Sequence, residues 1–326
     1  MKIAFFSDTF PPQVNSISIS LLTLATELSN KGHDIHIFTG PEEDKDVNSP
    51  QIPDTLKVYR TSDFFSHSSK KSSSETIHRD FREILSLRPD IIHVHTPFSV
   101  GKQGLRAAHL LKIPIIGSHH TFYANYRRGF IGDDSFLRGY LIKKYITWFY
   151  NKCRLVITPS KSIANDVTRY GLKRPISIIP DPVNIDRLRP STQKTELKKL
   201  CGLPDFSLVY VGRISYEKRI HELLKVFALL SSKYPKMRLS IIGDGPERQN
   251  LESFAKRLNI RERVIFFGLL KDQAFVDAIA ANDIFITASD MENQPLPLIE
   301  AMAIGLPQVV AKSAIDEYVE NGVTGQ

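Results

Sequence analysis

Pro180-Asp181-Pro182-Val183-Asn184 divides the sequence into two series of alternating elements. The stretch favours neither helix nor strand, because proline lacks the backbone donor that both elements use. On each side of it, short apolar runs alternate with amphipathic segments of helix length. Strands that alternate with helices predict parallel sheets with helices on both faces. We therefore predict an α/β fold of two doubly wound Rossmann-like domains that face each other across a cleft, the usual binding site of such a pair.

The predicted elements fall into three parts of the chain. Residues 1–180 form the first domain, residues 181–205 a linker with the first helix of the second, and residues 206–326 the second domain. The strands of the first domain are predicted at Lys2–Ser7, Asp34–Thr39, Ile91–His95, Ile115–His119, Leu155–Pro159 and Ile176–Ile179. Those of the second domain are predicted at Leu208–Val211, Arg238–Gly243, Val264–Phe267, Ile284–Thr287 and Gln308–Ala311. Helices are predicted between most of them, for example at Ser18–Lys31 and Val100–Leu111.

Composition limits the class of protein. Of the 326 residues, 42% are hydrophobic and 24% charged, which is typical of a globular chain and argues against disorder. The apolar runs all fall short of the roughly 18 residues that span a membrane, and the first one, Ile3 to Phe6, is too short for a signal peptide. The two cysteines form no Cys-x-x-Cys pair. We therefore expect no disulfide and no metal site, and a cytoplasmic location.

The positive charge is unevenly distributed. Residues 1–180 hold 24 Lys and Arg against 16 Asp and Glu, whereas residues 181–326 hold 19 of each. A polyanion or an anionic surface would therefore meet the first domain. We expect no nucleic acid, because the basic residues spread over loops and helices and form no known binding module.

The segment Ser289–Met302 carries two carboxylates. Its prolines predict a helix that starts near Pro297, with Glu300 early in the helix and Glu292 in the preceding loop. A helix start offers unpaired backbone N–H groups that suit phosphate, and Glu300 could accept hydrogen bonds from ribose hydroxyls beside it. The alternative is that Glu300 complements the helix dipole and Glu292 is a surface charge.

A second segment, Val211–Lys218, follows a predicted buried strand and precedes a helix. Arg213 and Lys218 would lie at the carboxyl end of that strand, where two cations can hold a diphosphate. As a bare pattern it is also typical of turns whose cations face solvent.

Histidines follow two strands of the first domain. His95 and His120 could both face the cleft, where imidazole serves either as a proton-transfer group or as a structural hydrogen-bonding group. We discount a metal site, because no carboxylate or cysteine completes a ligand set nearby.

Residues 122–154 interleave basic and aromatic side chains. One helical stripe is apolar and faces the core: Ile142, Ile146, Phe149 and Cys153. A second stripe holds Leu141, Tyr145 and Trp148. A helix with two apolar stripes and a basic shoulder is typical of a membrane interface rich in anionic lipid. The alternative is an ordinary helix buried on two sides.

Together these segments resemble the glycosyltransferases of family 4, which are retaining enzymes of the GT-B fold. The resemblance runs along the whole chain and is strongest toward lipid-directed members that glycosylate diacylglycerol or phosphatidylinositol. The segments that carry it are Pro11–Asn15, Pro89–Phe98, His119–Thr121, Val211–Arg213 with Glu217-Lys218, Gly243–Glu247, and Glu292–Ala303.

The resemblance implies a role for each matching residue. Arg213 and Lys218 would hold the diphosphate of a nucleotide-sugar donor and replace a metal ion, so that no cofactor is required. Glu300 would bind the ribose, Glu292 the transferred sugar, and His120 would lie near the acceptor hydroxyl. Acceptor attack would come from the same face as the leaving group, and the leaving phosphate would take the acceptor proton. The other donor-binding residues implied are Ser16, Gly243, Asn293, Gln294 and Leu296.

The expected enzyme is a hexosyltransferase bound peripherally to the inner face of the cell membrane. Its predicted contacts with anionic membrane or acceptor are Arg127, Arg128, Lys143, Lys144 and Trp148. A soluble or polysaccharide acceptor, a sugar-nucleotide epimerase and a non-catalytic nucleotide-sugar binder are the alternatives.

Three features depart from the family pattern. Ser16 and Pro295 stand where the family often has glycine, and both bear on the identity of the donor sugar. Relatives continue past Gln326, so the resemblance implies an incomplete second domain.

Overall fold

The computed structural model describes residues 1–13, 15–41, 50–60, 82–120, 136–289, 294–311 and 318–326. The chain divides into two compact units, Met1–Pro182 and Val183–Gln326, here called unit 1 and unit 2. Each unit is built on its own parallel sheet.

Unit 1 contains a sheet of seven described strands in the order β3-β2-β1-β4-β5-β6-β7, with every pairing parallel. The strands are β1 Lys2–Ser7, β2 Asp34–Thr39, β3 Lys57–Arg60, β4 Ile91–Val94, β5 Ile115–Ser118, β6 Leu155–Thr158 and β7 Ile176–Ile178. The helices are α1 Ser16–Asn30, α2 Ser99–Leu111, α3 Phe136–Tyr150 and α4 Lys161–Arg169, and residues 82–87 are also helical.

The inner strands of unit 1, such as β1, are mostly apolar on both sides because helices cover both faces of the sheet. Phe5 and Phe6 are both fully buried, yet they belong to different cores on opposite faces. Leu21 of α1 packs into the core that holds Phe5, and Ala107 of α2 packs into the core that holds Phe6. Unit 1 is therefore a three-layer, doubly wound unit.

Unit 2 has a sheet of five described strands in the order β10-β9-β8-β11-β12, again all parallel. The strands are β8 Ser207–Val211, β9 Arg238–Ile242, β10 Val264–Gly268, β11 Ile284–Thr287 and β12 Gln308–Val310. The helices are α5 Lys194–Leu200, α6 Ile220–Lys233, α7 Arg248–Arg257, α8 Asp272–Ala280 and α9 Leu296–Ile304. Successive residues of β8 again enter two cores, with Tyr210 on the α6 and α7 face and Val211 on the α8 and α9 face.

The prediction of an α/β fold with two parallel sheets is confirmed. Each predicted strand corresponds to an observed one, and the helix expected near Pro297 begins at Leu296. One strand was missed: β3, Lys57–Arg60, is a partly exposed strand at the edge of the described sheet, where it pairs with β2. An edge strand has only one neighbour and need not be a continuous apolar run, so it lacks the signal of a buried strand. The linker predicted at 181–205 stays a prediction.

The order of strands locates the ligand site in each unit. The chain winds outward from β1 to β3 and then returns to start again at β4, so that the order reverses between β1 and β4. In unit 2 it reverses between β8 and β11. Loops that leave neighbouring strands in opposite directions open a crevice, and ligands of doubly wound sheets bind there, beyond the carboxyl ends of the strands.

Candidate active site

In unit 2, two distant segments of the sequence meet at this reversal point. Arg213 and Lys218 follow β8, whereas Glu300 lies in α9, the helix that follows β11. The two strands are direct neighbours, with Leu208 paired to Ile284. The sheet thus brings the predicted diphosphate-binding turn and the predicted ribose-binding helix to adjacent strand ends. Their roles in binding stay predictions.

The turn after β8 lies directly against the turn after β9. The amide of Gly212 donates to the Ile242 carbonyl oxygen at 3.0 Å, and the amide of Ile214 donates to the Asp244 carbonyl oxygen at 2.9 Å. A Cβ at Gly243 would lie 2.0 Å from the Gly212 carbonyl oxygen, and Gly243 has a φ of 134°. No side chain fits there, so glycine is required for the two backbones to touch. This contact gives the turn that carries Arg213 a rigid base.

The turn after β8 carries its own counter-ion. Arg213 is exposed and Lys218 partly buried. Glu217 accepts a hydrogen bond of 2.6 Å from the Ser215 hydroxyl. Burial raises the pKa of Glu217, but the Ser215 hydrogen bond and the charges of Lys218 and Arg213 outweigh it, so the pKa lies below its ordinary value. Two cations and one carboxylate leave a net positive turn, which suits an anionic ligand. Sequence reasoning assigned Glu217 only to a motif and missed this role.

The helices that begin at the reversal points differ between the two units in how their N-termini are capped. In unit 1, α1 begins with a capping box in which Asn15 and Ser18 satisfy each other's amides. The Asp8 carboxylate accepts hydrogen bonds from the Val100 amide at 3.0 Å and the Ser99 hydroxyl at 2.8 Å, so it occupies the start of α2. In unit 2, by contrast, no side chain of the described residues caps the start of α6. The starts of α1 and α2 are thus capped by side chains in unit 1, whereas the start of α6 has no such cap among the described residues and carries Glu222 in its first turn.

The start of α9 offers fewer donors than the sequence suggested. The Leu296 amide donates to the Gln294 carbonyl oxygen at 2.9 Å, and the Leu298 amide donates to the Pro295 carbonyl oxygen at 3.0 Å. Pro297, between them, has no N–H group. The donor-binding role predicted for Leu296 stays a prediction, and it would require the bond to Gln294 to be given up. The Gln294 side chain is buried.

Among the described carboxyl groups of the candidate donor site, Glu300 has the most strongly shifted pKa. It lies partly buried in the second turn of α9, and desolvation raises its pKa from the ordinary 4.5 to about 7. A carboxyl group whose pKa is raised strongly by desolvation is typical of a functional site.

In unit 1, His120 lies in a buried chain of polar groups. Its Nδ1 is 3.4 Å from a carboxylate oxygen of Asp181, and its Nε2 is 3.2 Å from Nδ1 of His95. The Ser20 hydroxyl donates to the same Asp181 oxygen at 2.5 Å. His95 is only 1% exposed, so its ring contacts His120 inside the unit. Of the two roles considered for a histidine, this position of His95 fits the structural one.

The neighbouring histidines are neutral. Burial lowers the pKa of His93 and of His119 to about 3, and it lowers the pKa of His95 well below its ordinary value. Within the described ranges, no group of three or more His, Cys, Asp and Glu side chains is arranged to hold a metal ion.

Helix α3 has a core face and an exposed face. Ile146, Phe149 and the following Cys153 are buried in the core of unit 1. The exposed face holds Tyr140, Leu141, Lys144 and Trp148, and its three apolar side chains are 50–56% exposed.

Tyr145 and Lys143, two residues predicted for the outer surface of this helix, make contacts within unit 1. The Tyr145 hydroxyl donates to the Pro97 carbonyl oxygen, and its ring packs on the core, so it does not belong to the exposed face. The Lys143 ammonium lies 4.8 Å from the centre of the Tyr170 ring.

The roles of the remaining predicted site residues stay predictions. Ser16 is the exposed first residue of α1. Glu292, Asn293, Arg127 and Arg128 lie outside the described residues. In the part of the chain that the structure covers, no helix has both the length and the apolar character needed to cross a bilayer.

Family models match both units. The model described as Glycosyltransferase Family 4 matches residues 17–187, and the model described as Glycosyl transferases group 1 matches residues 195–326. The chain belongs to glycosyltransferase family 4. It is therefore a glycosyltransferase, and the sequence-based assignment to this family is confirmed.

Two curated relatives are alpha-monoglucosyldiacylglycerol synthases. This chain is 32% identical over 315 residues to the synthase of Streptococcus pneumoniae, and the match covers 95% of this chain and 70% of the relative. It is 28% identical over 358 residues to that of Acholeplasma laidlawii, which covers 100% of this chain and 84% of the relative. Among solved structures, Anabaena HepE in complex with UDP matches with a TM-score of 0.78 at 19% identity and covers 100% of this chain and 85% of HepE. This likeness establishes the GT-B fold.

Proposed function

We propose that this glycosyltransferase transfers a hexose, with retention of configuration, from a nucleotide-diphosphate sugar to a hydroxyl group of a membrane lipid such as diacylglycerol or a glycolipid. The observation that carries the proposal is that the Arg213–Lys218 turn and Glu300 follow adjacent strands at the reversal point of unit 2.

The donor diphosphate is bound by the turn after β8. Arg213 offers a planar fork of donors and Lys218 a point charge. As the bond from the sugar to the diphosphate breaks, negative charge grows on the leaving phosphate. Cations held in a rigid turn stabilise that charge more in the transition state than in the ground state.

The donor nucleoside is bound by Glu300. Two neighbouring ribose hydroxyls donate to its carboxylate, which has lost its hydration by burial. Binding of the ribose therefore stabilises the charged form and lowers the raised pKa of Glu300. Glu292 and His120 contact the transferred sugar and the acceptor hydroxyl.

The chemical step conserves atoms without a cofactor. The acceptor oxygen forms a bond to the anomeric carbon on the face from which the diphosphate leaves. The acceptor proton passes to the departing phosphate oxygen, and Arg213 and Lys218 hold the resulting nucleoside diphosphate.

The acceptor is reached from the membrane surface through α3. Tyr140, Leu141 and Trp148 insert into the interface between headgroups and acyl chains, and Lys144 contacts anionic headgroups. The surplus of positive charge in residues 1–180 favours the same surface. A second line of support for a lipid acceptor is that two relatives of this chain are named alpha-monoglucosyldiacylglycerol synthases. The enzyme is thus peripheral at the inner face of the membrane.

Transfer is tested with a panel of UDP-, GDP- and ADP-sugars and diacylglycerol in mixed micelles, with products separated by thin-layer chromatography. Lys218→Ala should lose about 100-fold or more in kcat with the preferred donor. The matched control is Lys225→Ala, a cation of α6 that pairs with Glu222 at 3.0 Å, and it should keep the wild-type rate. A Lys218→Ala variant with the wild-type rate contradicts the donor site, and transfer to a polysaccharide but to no lipid contradicts the acceptor class.

Membrane contact is tested by flotation with phosphatidylglycerol vesicles and with phosphatidylcholine vesicles. The wild type should float with the anionic vesicles, and the double variant Lys144→Glu, Trp148→Ala should not. Leu229→Ala is the control, since Leu229 is 76% exposed on α6 in unit 2. Equal flotation of the double variant and the wild type would rule out α3 as the membrane surface.

A further inference from the structure

Tyr210 joins the buried core of unit 2 to the turn that carries Arg213. It is the fourth residue of β8 and is only 1% exposed. Its hydroxyl donates to the Arg213 carbonyl oxygen at 3.2 Å. Arg213 itself is exposed. A buried side chain therefore contacts the backbone of an exposed cation that the proposed function assigns to the donor diphosphate.

The ring of Tyr210 is held by packing. It lies in one core with Leu224 and Phe227 of α6 and with Ile241 of β9. A tyrosine side chain has only two rotatable angles, so a closely packed ring leaves its hydroxyl little freedom to move. The hydroxyl of Tyr210 thus occupies a fixed position at the carboxyl end of β8.

The turn after β8 passes closely over the tip of the Tyr210 side chain. Gly212 has a φ of 150°, and a Cβ at this residue would lie 2.9 Å from the Tyr210 hydroxyl oxygen. A larger residue would meet the phenol and would also be strained at this φ, so glycine allows the close approach. The approach brings the Arg213 carbonyl group within hydrogen-bonding distance of the hydroxyl.

The peptide group between Arg213 and Ile214 is hydrogen-bonded at both of its polar atoms. Its carbonyl oxygen accepts from Tyr210, and its N–H group, the Ile214 amide, donates to the Asp244 carbonyl oxygen at 2.9 Å. A peptide group is planar, so bonds to its two opposite atoms fix its orientation. The backbone from which the Arg213 side chain extends is therefore held by β8 on one side and by the turn after β9 on the other.

We infer that Tyr210 is a positioning residue whose hydroxyl fixes the backbone of Arg213 and so preorganises this arginine for binding the donor diphosphate. A turn that had to be ordered when the donor binds would lose affinity, and a turn that is ordered in advance avoids this loss. The inference rests on the proposed function for the role of Arg213. It gives Tyr210, which the sequence places only in a predicted buried strand, a part in donor binding.

The inference is tested by titration calorimetry with UDP, GDP and ADP, followed by the nucleoside of the diphosphate that the wild type binds most tightly. Tyr210→Phe keeps the ring that fills the core and removes only the hydroxyl. It should weaken binding of the diphosphate by about 3- to 10-fold, the range that a neutral hydrogen bond contributes. Binding of the nucleoside, which lacks the diphosphate, should not change.

The matched control is Tyr59→Phe in unit 1. It also removes a tyrosine hydroxyl from a hydrogen bond, since the Tyr59 oxygen lies 3.0 Å from Nδ1 of His36. This control should keep the wild-type affinity for the diphosphate. Unchanged affinity in Tyr210→Phe, or an equal loss for the diphosphate and the nucleoside, would overturn the inference.

A double-mutant cycle shows whether Tyr210 acts through Arg213. Arg213→Ala should weaken binding of the diphosphate by about 10-fold or more, because it removes a charged donor. In the Arg213→Ala background, Tyr210→Phe should cause no further loss, since residues that act as one unit are not additive. Additive losses would overturn the inference, because Tyr210 would then affect binding independently of Arg213.

The same cycle separates the two levels of the account. A loss in Arg213→Ala together with wild-type affinity in Tyr210→Phe overturns the inference and leaves the proposed function intact. Wild-type affinity in Arg213→Ala, or a wild type that binds none of the three diphosphates, contradicts the proposed function and the inference with it.

Discussion

Replacing Glu300 by glutamine should stabilise the ligand-free protein, although it removes the carboxylate that the proposed function assigns to ribose binding. Burial raises the pKa of Glu300 from 4.5 to about 7. Each pKa unit corresponds to 1.36 kcal/mol, so at pH 8 the folded chain loses roughly 3 kcal/mol by keeping this carboxylate in α9. Glutamine has nearly the same shape and no charge. Glu300→Gln should therefore gain up to about 3 kcal/mol in the free energy of unfolding at pH 8.

The sign of the pH dependence follows from proton binding. The folded state binds the Glu300 proton more tightly than the unfolded state does, so stability is greatest below pH 4.5 and falls as the pH rises to about 7. The gain in Glu300→Gln should thus be small at pH 5 and complete at pH 8. Urea unfolding at both values measures it, with Glu262→Gln as an exposed control that should change at neither pH. An equal gain at both values, or none at pH 8, would refute the burial argument.

Three further substitutions test other parts of the account. Gly243→Ala should cost about 2 kcal/mol or more in unfolding free energy, because its Cβ would lie 2.0 Å from a backbone oxygen at a φ of 134°. The control Gly202→Ala has a φ of 64° and no atom within 4 Å of its Cβ, so it should cost less. Equal losses in the two variants would contradict the close contact at Gly243. Asp8→Ala should lower thermal stability by about 1–2 kcal/mol through loss of the α2 cap, with Asp54→Ala as the exposed comparison, and an unchanged melting temperature would contradict that capping role. Glu217→Gln should strengthen UDP binding, since it removes the carboxylate beside Lys218 and Arg213, and weaker binding in calorimetry would contradict the charge balance of the turn.

Much of the fold can be predicted, because parallel strands that are buried on both faces occur in the sequence as continuous apolar runs. Phe5 and Phe6 illustrate this, since adjacent apolar residues fill cores on opposite faces. The edge strand Lys57–Arg60 was not predicted, because the charged side chains at its two ends, Lys57 and Arg60, leave no continuous apolar run.

The candidate site is only partly predictable from the sequence. Motifs locate Arg213, Lys218 and Glu300, because strand ends and helix starts are local features. The link between His120 and Asp181 joins residues that are far apart along the chain, and only the folded sheet brings them together. The desolvation of Glu300 is likewise a property of packing around α9, which spacing does not encode.

The most direct test of the central claim compares UDP with uridine by titration calorimetry. If the turn after β8 binds the diphosphate and Glu300 binds the ribose, Lys218→Ala should weaken binding of UDP but leave that of uridine unchanged. Glu300→Ala should weaken binding of both. Wild-type affinity for UDP in both variants would contradict the account, because neither strand end would then contact the nucleotide.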